Sequence, residues 1–375
     1  MTENLFLQDQ AVSFHRPYPA SLTALHEKQP EQGIFYRQDG TPFLKLWMKN
    51  ACDVKIVIGQ DTYILLEVER NLWEVTLPLE PGFYYAALYV DSVEIASPYL
   101  PIGYGHSRPC NYLEIGPVME ACRLKDVLHG SIRHEYFYSE VTGQTESCLV
   151  YAPPGYDRDQ LRLPVLYLQH GHGENEQCWV HQGRVNFIMD NLIAAGKAEP
   201  CIVVMNNGMV QKNENGVRVL DQTRIERLLL EDCIPFIESH YRVRTDKWSR
   251  AMAGLSMGSM QTSIVTMKHP DMFGYAGVFS GFVGPFNKTN AENSYIQLLD
   301  DREKFTQSFR VFFRACGDED LVALERFEAD RALFEEKGLA PAENSIHVEK
   351  MYPGEHEWNV WRMCLRDFAQ YLFHE

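Results

Sequence analysis

Between about Gly33 and about Gly116, hydrophobic and polar residues alternate in short segments that are rich in aromatic side chains. The alternation is clearest at 43–47, 54–58, 72–77 and 83–90. Turn residues separate these segments, for example at 38–40 and 80–82. A period of two that is broken by turns is typical of antiparallel strands, so this part predicts a small β-sandwich. We find no candidate catalytic residue in it.

The pattern changes beyond about Val118, where apolar strand cores alternate with longer segments of helical periodicity. The candidate strands are 165–168, 201–205, 251–253, 278–279, 311–313 and 346–348. Apolar residues recur at helical spacing from 185 to 193, and Gly196 is well placed to end that helix. This alternation predicts a doubly wound, mostly parallel sheet with helices on both faces. We therefore divide the chain into an N-terminal extension (1–32), a β-sandwich (33–117) and an α/β domain (118–375).

Composition and charge narrow the choice of partners and location. With 45% hydrophobic and 23% charged residues, the composition is that of a folded protein. The net charge of −16 argues against nucleic-acid and anionic-membrane partners. Residues 1–8 show no basic stretch before an apolar core, and no apolar run is long enough to cross a bilayer. The chain has nine cysteines and no Cys-x-x-Cys pair, which predicts buried free thiols in a reducing cytoplasm. No metal or cofactor is expected.

A Gly-x-Ser-x-Gly sequence occurs at 254–258, with Ser256 at its centre. In a nucleophile elbow this pattern makes a tight strand-to-helix turn that exposes the serine hydroxyl. Glycines are needed because side chains would collide with the neighbouring strand and helix. The pattern alone is weak, but here an apolar strand precedes it and a helical stretch, 259–268, follows it. This context favours a nucleophile over an inconsequential glycine-rich turn.

A serine nucleophile needs a base, and the C-terminal part offers His356. This histidine lies on a predicted loop between a strand (346–351) and a helix (358–373), at the carboxyl edge of the sheet. A histidine on an ordinary surface loop is the alternative. His347 alternates with apolar residues in the strand, so we predict a structural role for it.

The acid that orients the base should follow the strand at 310–316. Three carboxylates compete there, namely Asp318, Glu319 and Asp320. The first residue after Gly317 is often held in the turn itself, so Asp320 is favoured. Asp318 and Glu319 remain alternatives.

The oxyanion of an acyl-transfer reaction needs two backbone N–H donors. We predict one at Met257, directly after the nucleophile, and the other at His172, in the glycine-rich loop 170–174. A metal pair formed by His170 and His172 is the alternative, although no third ligand is spaced nearby.

Four residues near these loops are predicted to contact substrate: Gly171, Trp179, Asn207 and Glu355. Trp179, shortly after the glycine-rich loop, is predicted to line the substrate cleft. The alternative is a buried tryptophan that braces the loop.

Several of these segments resemble the enterochelin-esterase and feruloyl-esterase group of α/β-hydrolases, often called the esterase D-like family. The matching segments are 150–156, 170–174 with Trp179, 182–186, 190–194, 253–258 and 356–361. The resemblance implies the α/β-hydrolase fold for 118–375, with Ser256, Asp320 and His356 as its catalytic triad. Family members usually have glycine where this chain has Ser259.

The preceding part, with its segments 82–85 and 90–98, resembles the early-set immunoglobulin-like module related to carbohydrate-binding family 48. Trp47 and Trp73 could stack on sugar rings there, but tryptophans in a small sandwich are more often in the core. We expect the module to be structural, either as a wall of the active-site cleft or as a contact in a homo-oligomer.

Together, the residues and the resemblance predict a serine carboxylesterase that forms an acyl-Ser256 intermediate. The resemblance implies aryl or sugar esters as substrates, with feruloyl or acetyl groups on plant oligosaccharides. A siderophore trilactone esterase is the runner-up among enzymes, although an anionic ligand would favour basic residues and this chain is acidic. A peptidase on the same fold is a less favoured alternative that stays open, because the catalytic set does not discriminate amide from ester. The intact serine, acid, histidine and oxyanion loop count against a non-catalytic binding protein on a hydrolase scaffold.

Overall fold

The computed structural model describes residues 30–284, 291–342 and 345–374. The chain divides into two compact units, Met1–Met119 and Glu120–Glu375. The predicted N-terminal extension lies almost entirely outside the described residues, as does the segment 1–8. Among the helices of the described part, none is long and apolar enough to span a membrane. All nine cysteines are free thiols, and all except Cys52 are buried.

The described part of the first unit is built from antiparallel strands. They are β1 (Gly33–Tyr36), β2 (Pro42–Trp47), β3 (Val54–Ile58), β4 (Asp61–Ile64), β5 (Leu66–Glu69), β6 (Leu72–Thr76), β7 (Gly82–Val90), β8 (Val93–Ile95), β9 (Ile102–Gly105) and β10 (Arg108–Ile115). One sheet has the order β1-β2-β6-β5, and the other has the order β4-β3-β7-β10-β9, with β8 paired to β7.

The inner faces of these two sheets share one hydrophobic core. Leu44 and Leu46 from the first sheet lie in the same buried cluster as Ile56, Leu88 and Leu113 from the second. Alternation along each strand places these side chains on one face, as the period of two predicts. The predicted β-sandwich is therefore confirmed. Trp73 belongs to this core as well, with 7% of its surface exposed, and the relation to carbohydrate-binding family 48 stays a prediction.

The second unit is built around an eight-stranded mixed sheet of order β11-β12-β14-β13-β17-β18-β19-β20. Its strands are β11 (Ser131–Ser139), β12 (Gln144–Ala152), β13 (Val165–Gln169), β14 (Ile202–Asn206), β17 (Arg250–Leu255), β18 (Tyr275–Phe279), β19 (Val311–Gly317) and β20 (His347–Tyr352). From β14 to β20 neighbouring strands are parallel, whereas β11 and β12 are antiparallel to their neighbours. A separate hairpin is formed by β15 (Gln211–Glu214) and β16 (Val217–Leu220).

Helices alternate with these strands. They are α1 (Cys178–His181), α2 (Val185–Ala194), α3 (Ile225–Arg227), α4 (Ile234–His240), α5 (Met257–Lys268), α6 (Arg302–Ser308), α7 (Leu324–Glu336) and α8 (Trp358–Ala369). A π-helical stretch, Leu228–Cys233, joins α3 to α4. Short 3₁₀ helices occur at Glu120–Cys122, Gln222–Arg224, Lys247–Ser249 and Ala291–Asp300.

Adjacent residues of β18 show that helices cover both faces of the large sheet. Val278 lies in a core cluster with Met267 of α5 and Phe305 of α6. Phe279 points to the opposite face, where its ring meets that of Phe368 of α8 edge-on at a centroid distance of 5.7 Å. The predicted α/β architecture, with its parallel strands and two helical layers, is confirmed.

Among the helices whose ends the sequence predicts, α2 agrees with the prediction and the C-terminal helix does not. Gly196 follows α2 with φ +64°, the left-handed conformation that ends a helix, and its N–H donates to Ile193 O, in agreement with the prediction. The C-terminal helix is predicted to reach 373 but ends at Ala369. Beyond it the N–H groups of 370–372 bond three residues back rather than four, so the last turn tightens and leaves the α-helix.

Candidate active site

Ser256 lies in the turn between β17 and α5, with φ 51° and ψ −117°. Glycines at 254 and 258 allow this strained conformation, because a side chain at either position would collide with neighbouring backbone atoms. A Cβ on Gly254 would lie 2.5 Å from the backbone of Gly258, and one on Gly258 would lie 2.6 Å from His170 O. The turn therefore has the form of a nucleophile elbow, with the serine at the carboxyl end of a central strand.

Ser259, at a position where the resemblance implies glycine, fits this turn. Its hydroxyl donates to Ser256 O at 2.5 Å. Gly281 lies opposite, and a Cβ there would come within 1.6 Å of the Ser259 hydroxyl. The serine at 259 therefore depends on the glycine at 281 and leaves the elbow intact.

The structure brings the three candidate triad residues together. His356 Nε2 lies 3.0 Å from Ser256 Oγ, and His356 Nδ1 lies 2.8 Å from Asp320 Oδ2. The imidazole is partly buried, with 20% of its side chain exposed, whereas the Asp320 carboxylate is fully buried. With Nδ1–H donating to the carboxylate, Nε2 carries the lone pair that faces the serine hydroxyl. This is the hydrogen-bond order in which a histidine can remove the serine proton.

Asp320 is kept ionised by its surroundings. Burial acts to raise its pKa, but the hydrogen bonds from His356 and from the N–H of Ala323 outweigh burial, so the pKa lies below its usual value. Oδ1 also accepts from the N–H groups of Val322 and Ala323 at 3.0 and 2.9 Å. The carboxylate is therefore fixed in position and available to orient the imidazole.

The two competing carboxylates lie elsewhere in the same loop, and both residues are exposed. Asp318 Oδ1 accepts from Gly354 N at 3.0 Å, and Glu319 N donates to Gly354 O at 3.0 Å. These bonds tie the loop after β19 to the loop that carries His356. The structure thus gives Asp318 a role in holding the loops together and places Asp320, two residues further on, against the imidazole.

The glycine-rich loop after β13 passes close to the nucleophile. A Cβ on Gly171 would lie 3.6 Å from Ser256 Cβ. Met257 is the first residue of α5, so its N–H has no partner within the helix. In the described part of the chain the N–H of His172 makes no hydrogen bond either, and the His172 side chain is exposed. These two N–H groups remain our proposal for the oxyanion donors.

Gly171 itself is occupied by contacts within the protein. Its N–H donates to Glu174 Oε2 at 2.9 Å, and its carbonyl accepts from His170 Nδ1 at 2.8 Å. The N–H of Gly171 is therefore engaged within the protein, and a substrate contact by this residue stays a prediction. Asn207 lines a polar groove beside the loop, and Glu355 is exposed next to His356.

Trp179 does not line a cleft, which corrects the prediction made for it. Only 1% of its surface is exposed, and its indole N–H donates to Gln169 O at 2.9 Å. The ring packs edge-on against Trp358, which packs in the same way against Trp361, and Trp361 meets the His356 ring at a centroid distance of 5.1 Å. Trp179 therefore has the bracing role, because the large indole fills the space beneath the loops.

Sequence reasoning missed a brace formed by Glu174. This buried carboxylate accepts from Gly171 N through Oε2 at 2.9 Å and from Trp358 Nε1 through Oε1 at 3.1 Å. It thus connects the glycine-rich loop with the helix that follows His356. A glutamate in the loop and two tryptophans three residues apart after the histidine were the available signals, but their contact spans 184 positions of sequence.

We expect Glu174→Gln to lower kcat about tenfold with little change in KM, because an amide nitrogen would face one of two buried N–H donors. Leaving such a donor unpaired costs about 1–3 kcal/mol, enough to displace the loop. Kinetics on a small aryl ester, measured well below the melting temperature, would check this. The matched control is Glu176→Gln on the same loop, and a lowered melting temperature with unchanged kcat would limit Glu174 to a structural role.

His170 is structural in this arrangement. It is 1% exposed, and its Nε2 accepts from Gly208 N at 2.8 Å. Burial lowers the pKa of His170 to about 4, so the imidazole is neutral at pH 7. Within the described residues no group of three histidines, cysteines or carboxylates could hold a metal ion. Both ring nitrogens of His170 are engaged by the backbone of Gly171 and Gly208, so this histidine has no nitrogen left for a metal ion.

Two buried neutral histidines predict a loss of stability in mild acid. Burial lowers the pKa of His347 to about 4, as it does for His170, whereas a histidine of the unfolded chain titrates near 6.5. Between these values the unfolded state binds more protons, so stability falls as pH falls from about 6.5 to about 4. The slope should reach about 1.4 kcal/mol per pH unit for each histidine.

Urea unfolding at pH 7, 6 and 5 would measure this slope. His347→Asn keeps a donor for Leu339 O, to which Nδ1 donates at 2.8 Å, and should remove about half of the slope. His106→Asn, at an exposed histidine with φ +51° in the other unit, is the control. Equal slopes in the parent and in His347→Asn would contradict the prediction.

The elbow, the buried Asp320–His356 pair and the mixed sheet define an α/β-hydrolase with a serine–histidine–aspartate site. A family model described as "Putative esterase" matches residues 139–371, so the chain belongs to this esterase family. The predicted resemblance to the enterochelin-esterase and feruloyl-esterase group is confirmed at this level.

Two known proteins are similar to this chain in sequence. It is 35% identical over 344 residues to an endo-1,4-beta-xylanase/feruloyl esterase from Xylanibacter ruminicola, covering 86% of this chain and 44% of that protein. It is 26% identical over 253 residues to endo-1,4-beta-xylanase Y from Acetivibrio thermocellus, covering 64% of this chain and 23% of that protein. The chain thus spans less than half the length of either relative.

Two solved structures share the fold. A CE1 ferulic acid esterase from Anaeromyces mucronatus has a TM-score of 0.57 at 23% identity, covering 67% of this chain and 93% of that one. The enterobactin esterase of Shigella flexneri has a TM-score of 0.62 at 13% identity, covering 92% of this chain and 94% of that one.

Proposed function

We propose that the protein is a serine carboxylesterase with Ser256 as nucleophile, His356 as general base and Asp320 as the orienting acid. The observation that carries the proposal is the hydrogen-bond chain from Asp320 through His356 to a serine in a strained elbow. The elbow exposes the hydroxyl, and the buried carboxylate fixes the tautomer of the base.

In the acylation step, His356 Nε2 takes the proton of Ser256 as Oγ attacks the carbonyl carbon of the ester. The N–H groups of Met257 and His172 stabilise the negative oxygen of the tetrahedral intermediate. His356 then gives the proton to the leaving alcohol, and an acyl-Ser256 intermediate remains. Water activated by His356 attacks this acyl group and regenerates the serine.

We further propose that the substrates are aryl or sugar esters, with feruloyl or acetyl groups on plant oligosaccharides. Support comes from the Xylanibacter ruminicola relative, which is described as a xylanase and feruloyl esterase and is 35% identical. The net charge of −16 makes an anionic siderophore a less suitable substrate than a neutral sugar ester.

Activity on a panel of esters would test this proposal. The panel contains p-nitrophenyl acetate and longer acyl esters, methyl ferulate and related hydroxycinnamates, and a catechol trilactone. We expect kcat/KM to be highest for a hydroxycinnamate or a short acyl ester. Preference for the trilactone would replace the proposed substrate class, and an absence of hydrolysis across the panel would contradict the esterase function.

A further inference from the structure

A polar groove lies where two neighbouring strands of the large sheet separate. β12 pairs with β14 only from Cys148 to Tyr151, so the segment 144–147 leaves the ladder on that side. This segment forms one wall of the groove, and Asn207, Met209, Gln211 and Arg218 form the other. The groove therefore lies between β12 and the chain that leaves β14.

The chemistry of the walls favours a neutral, hydroxyl-rich ligand. Amides, hydroxyls, one carboxylate, one guanidinium and the thioether of Met209 line the groove. Glu146 and Arg218 balance each other in charge, so the groove offers no excess cation for a phosphate or a carboxylate. Its volume of about 160 Å³ is below the roughly 300–1,000 Å³ of cavities that enclose whole small molecules, so it accepts part of a larger ligand.

Two exposed tyrosines adjoin this groove. Tyr136 and Tyr138 lie on β11, the outermost strand of the sheet, with 62% and 61% of their surfaces exposed. In the strand register Tyr138 is opposite Thr145 and Tyr136 is opposite Ser147, both in the groove wall. Side chains in such pairs have Cβ atoms about 4.5–5.5 Å apart. The tyrosines therefore lie beside the groove wall, on the same face of the sheet as Thr145 and Ser147.

The tyrosine rings are suited to stacking on sugar rings. Tyrosine offers a rigid apolar face with a polar tip and loses little conformational entropy on binding. The ring of Tyr136 is already stacked on His134, with centroids 4.6 Å apart and planes inclined by 24°. A pair of large exposed aromatics on an edge strand is otherwise a liability for a folded protein.

The groove is connected to the candidate active site through its walls. Ser147 Oγ donates to Glu176 Oε1 at 2.8 Å, and Glu176 belongs to the loop that contains Gly171. On the other wall, the neighbour of Asn207, Gly208, donates to His170 Nε2 at 2.8 Å. The strand that leads to Ser256 is β17. In the sheet order, β14 is two strands away from β17 and β12 is three strands away. At about 4.8 Å per strand the groove lies roughly 10–15 Å from the nucleophile along the sheet edge.

We propose that the groove and the Tyr136–Tyr138 pair form a subsite for the carbohydrate part of the ester substrate. A neutral oligosaccharide would place its ester at Ser256, stack one ring on the tyrosines and bond its hydroxyls to the groove walls. This inference rests on the proposed esterase function, and it locates the alcohol side of the substrate.

The test compares two esters of the same acid, methyl ferulate and a feruloylated arabinoxylo-oligosaccharide. We expect the double variant Tyr136→Ala/Tyr138→Ala to lower kcat/KM for the oligosaccharide ester about tenfold or more and that for methyl ferulate less than twofold. Arg218→Ala, on the opposite groove wall, should act in the same direction. The control Tyr136→Phe/Tyr138→Phe keeps both rings and should stay within threefold of the parent.

Calorimetric binding of unesterified xylohexaose separates this inference from the esterase function. If the parent binds xylohexaose and the double alanine variant does not, the subsite stands even if no ester is hydrolysed. Equal losses on both esters, or the same xylohexaose binding by the parent and the double alanine variant, would overturn the subsite while leaving the esterase function in place.

Discussion

Replacing Ser256 with alanine is expected to reduce kcat for ester hydrolysis by about 10⁴-fold or more. The variant lacks the oxygen that His356 Nε2 faces at 3.0 Å, so no acyl intermediate can form at this position. Folding should be preserved, because the elbow is set by Gly254 and Gly258 and by the Ser256 N–H, which donates to Phe279 O. The melting temperature and steady-state kinetics of the two proteins would check both parts.

Ser259→Ala is the matched control for this substitution. The Ser259 hydroxyl donates to the Ser256 carbonyl at 2.5 Å and takes no part in the hydrogen-bond chain from Asp320 through His356 to the nucleophile. We expect the activity of this variant to stay within tenfold of the parent. Activity of Ser256→Ala within tenfold of the parent would contradict the assignment of the nucleophile.

Asp320→Asn is expected to reduce kcat by about 10⁴-fold, the size known for this change in a serine triad. Oδ1 of Asp320 accepts from two backbone N–H groups, so the amide oxygen of the variant should stay there. The amide nitrogen would then face His356 Nδ1 as a donor. His356 Nδ1 lies 2.8 Å from Oδ2 and 2.9 Å from Oδ1, and a donor at the nearer position favours the tautomer with a proton on Nε2, which cannot accept the proton of Ser256.

Asp318→Asn and Glu319→Gln, in the same loop, are the controls. Asp318 accepts from Gly354 N, and an asparagine oxygen can make the same bond, so the loss of kcat should be under tenfold. Glu319→Gln should resemble it, because the contact with Gly354 comes from the backbone. A loss near 10⁴-fold at Asp318 together with a small one at Asp320 would contradict the account of the acid.

The sequence predicted the architecture because hydrophobic periodicity reports directly on strands and helices. The sandwich strands alternate with a period of two, and the parallel strands are short apolar runs, such as 202–205 within β14. The antiparallel strands β11 and β12 were not among the predicted strands, and the register of β12 could not be predicted from the sequence. Nothing in the residues 144–147 indicates that the strand leaves β14 at Cys148, because that depends on pairing between segments more than fifty residues apart.

The candidate site was predictable where chemistry fixes the residue type. The elbow glycines, the loop histidine and the acid after β19 each have a mechanical reason to be at their positions. Trp179 was misplaced because a tryptophan near a catalytic loop can face either the core or the cleft, and only the packing of Trp358 beside it decides. Glu174 was missed for a similar reason, since its two partners come from distant segments.

Trapping of the acyl intermediate tests the central claim most directly. The protein is mixed with an aryl ester, quenched in acid within the first turnover, and subjected to mass spectrometry of the intact chain and of its peptides. We predict one acyl group per chain, on the peptide that contains Ser256, and none in Ser256→Ala. An acyl group on a different residue, or undiminished turnover by Ser256→Ala, would contradict the account.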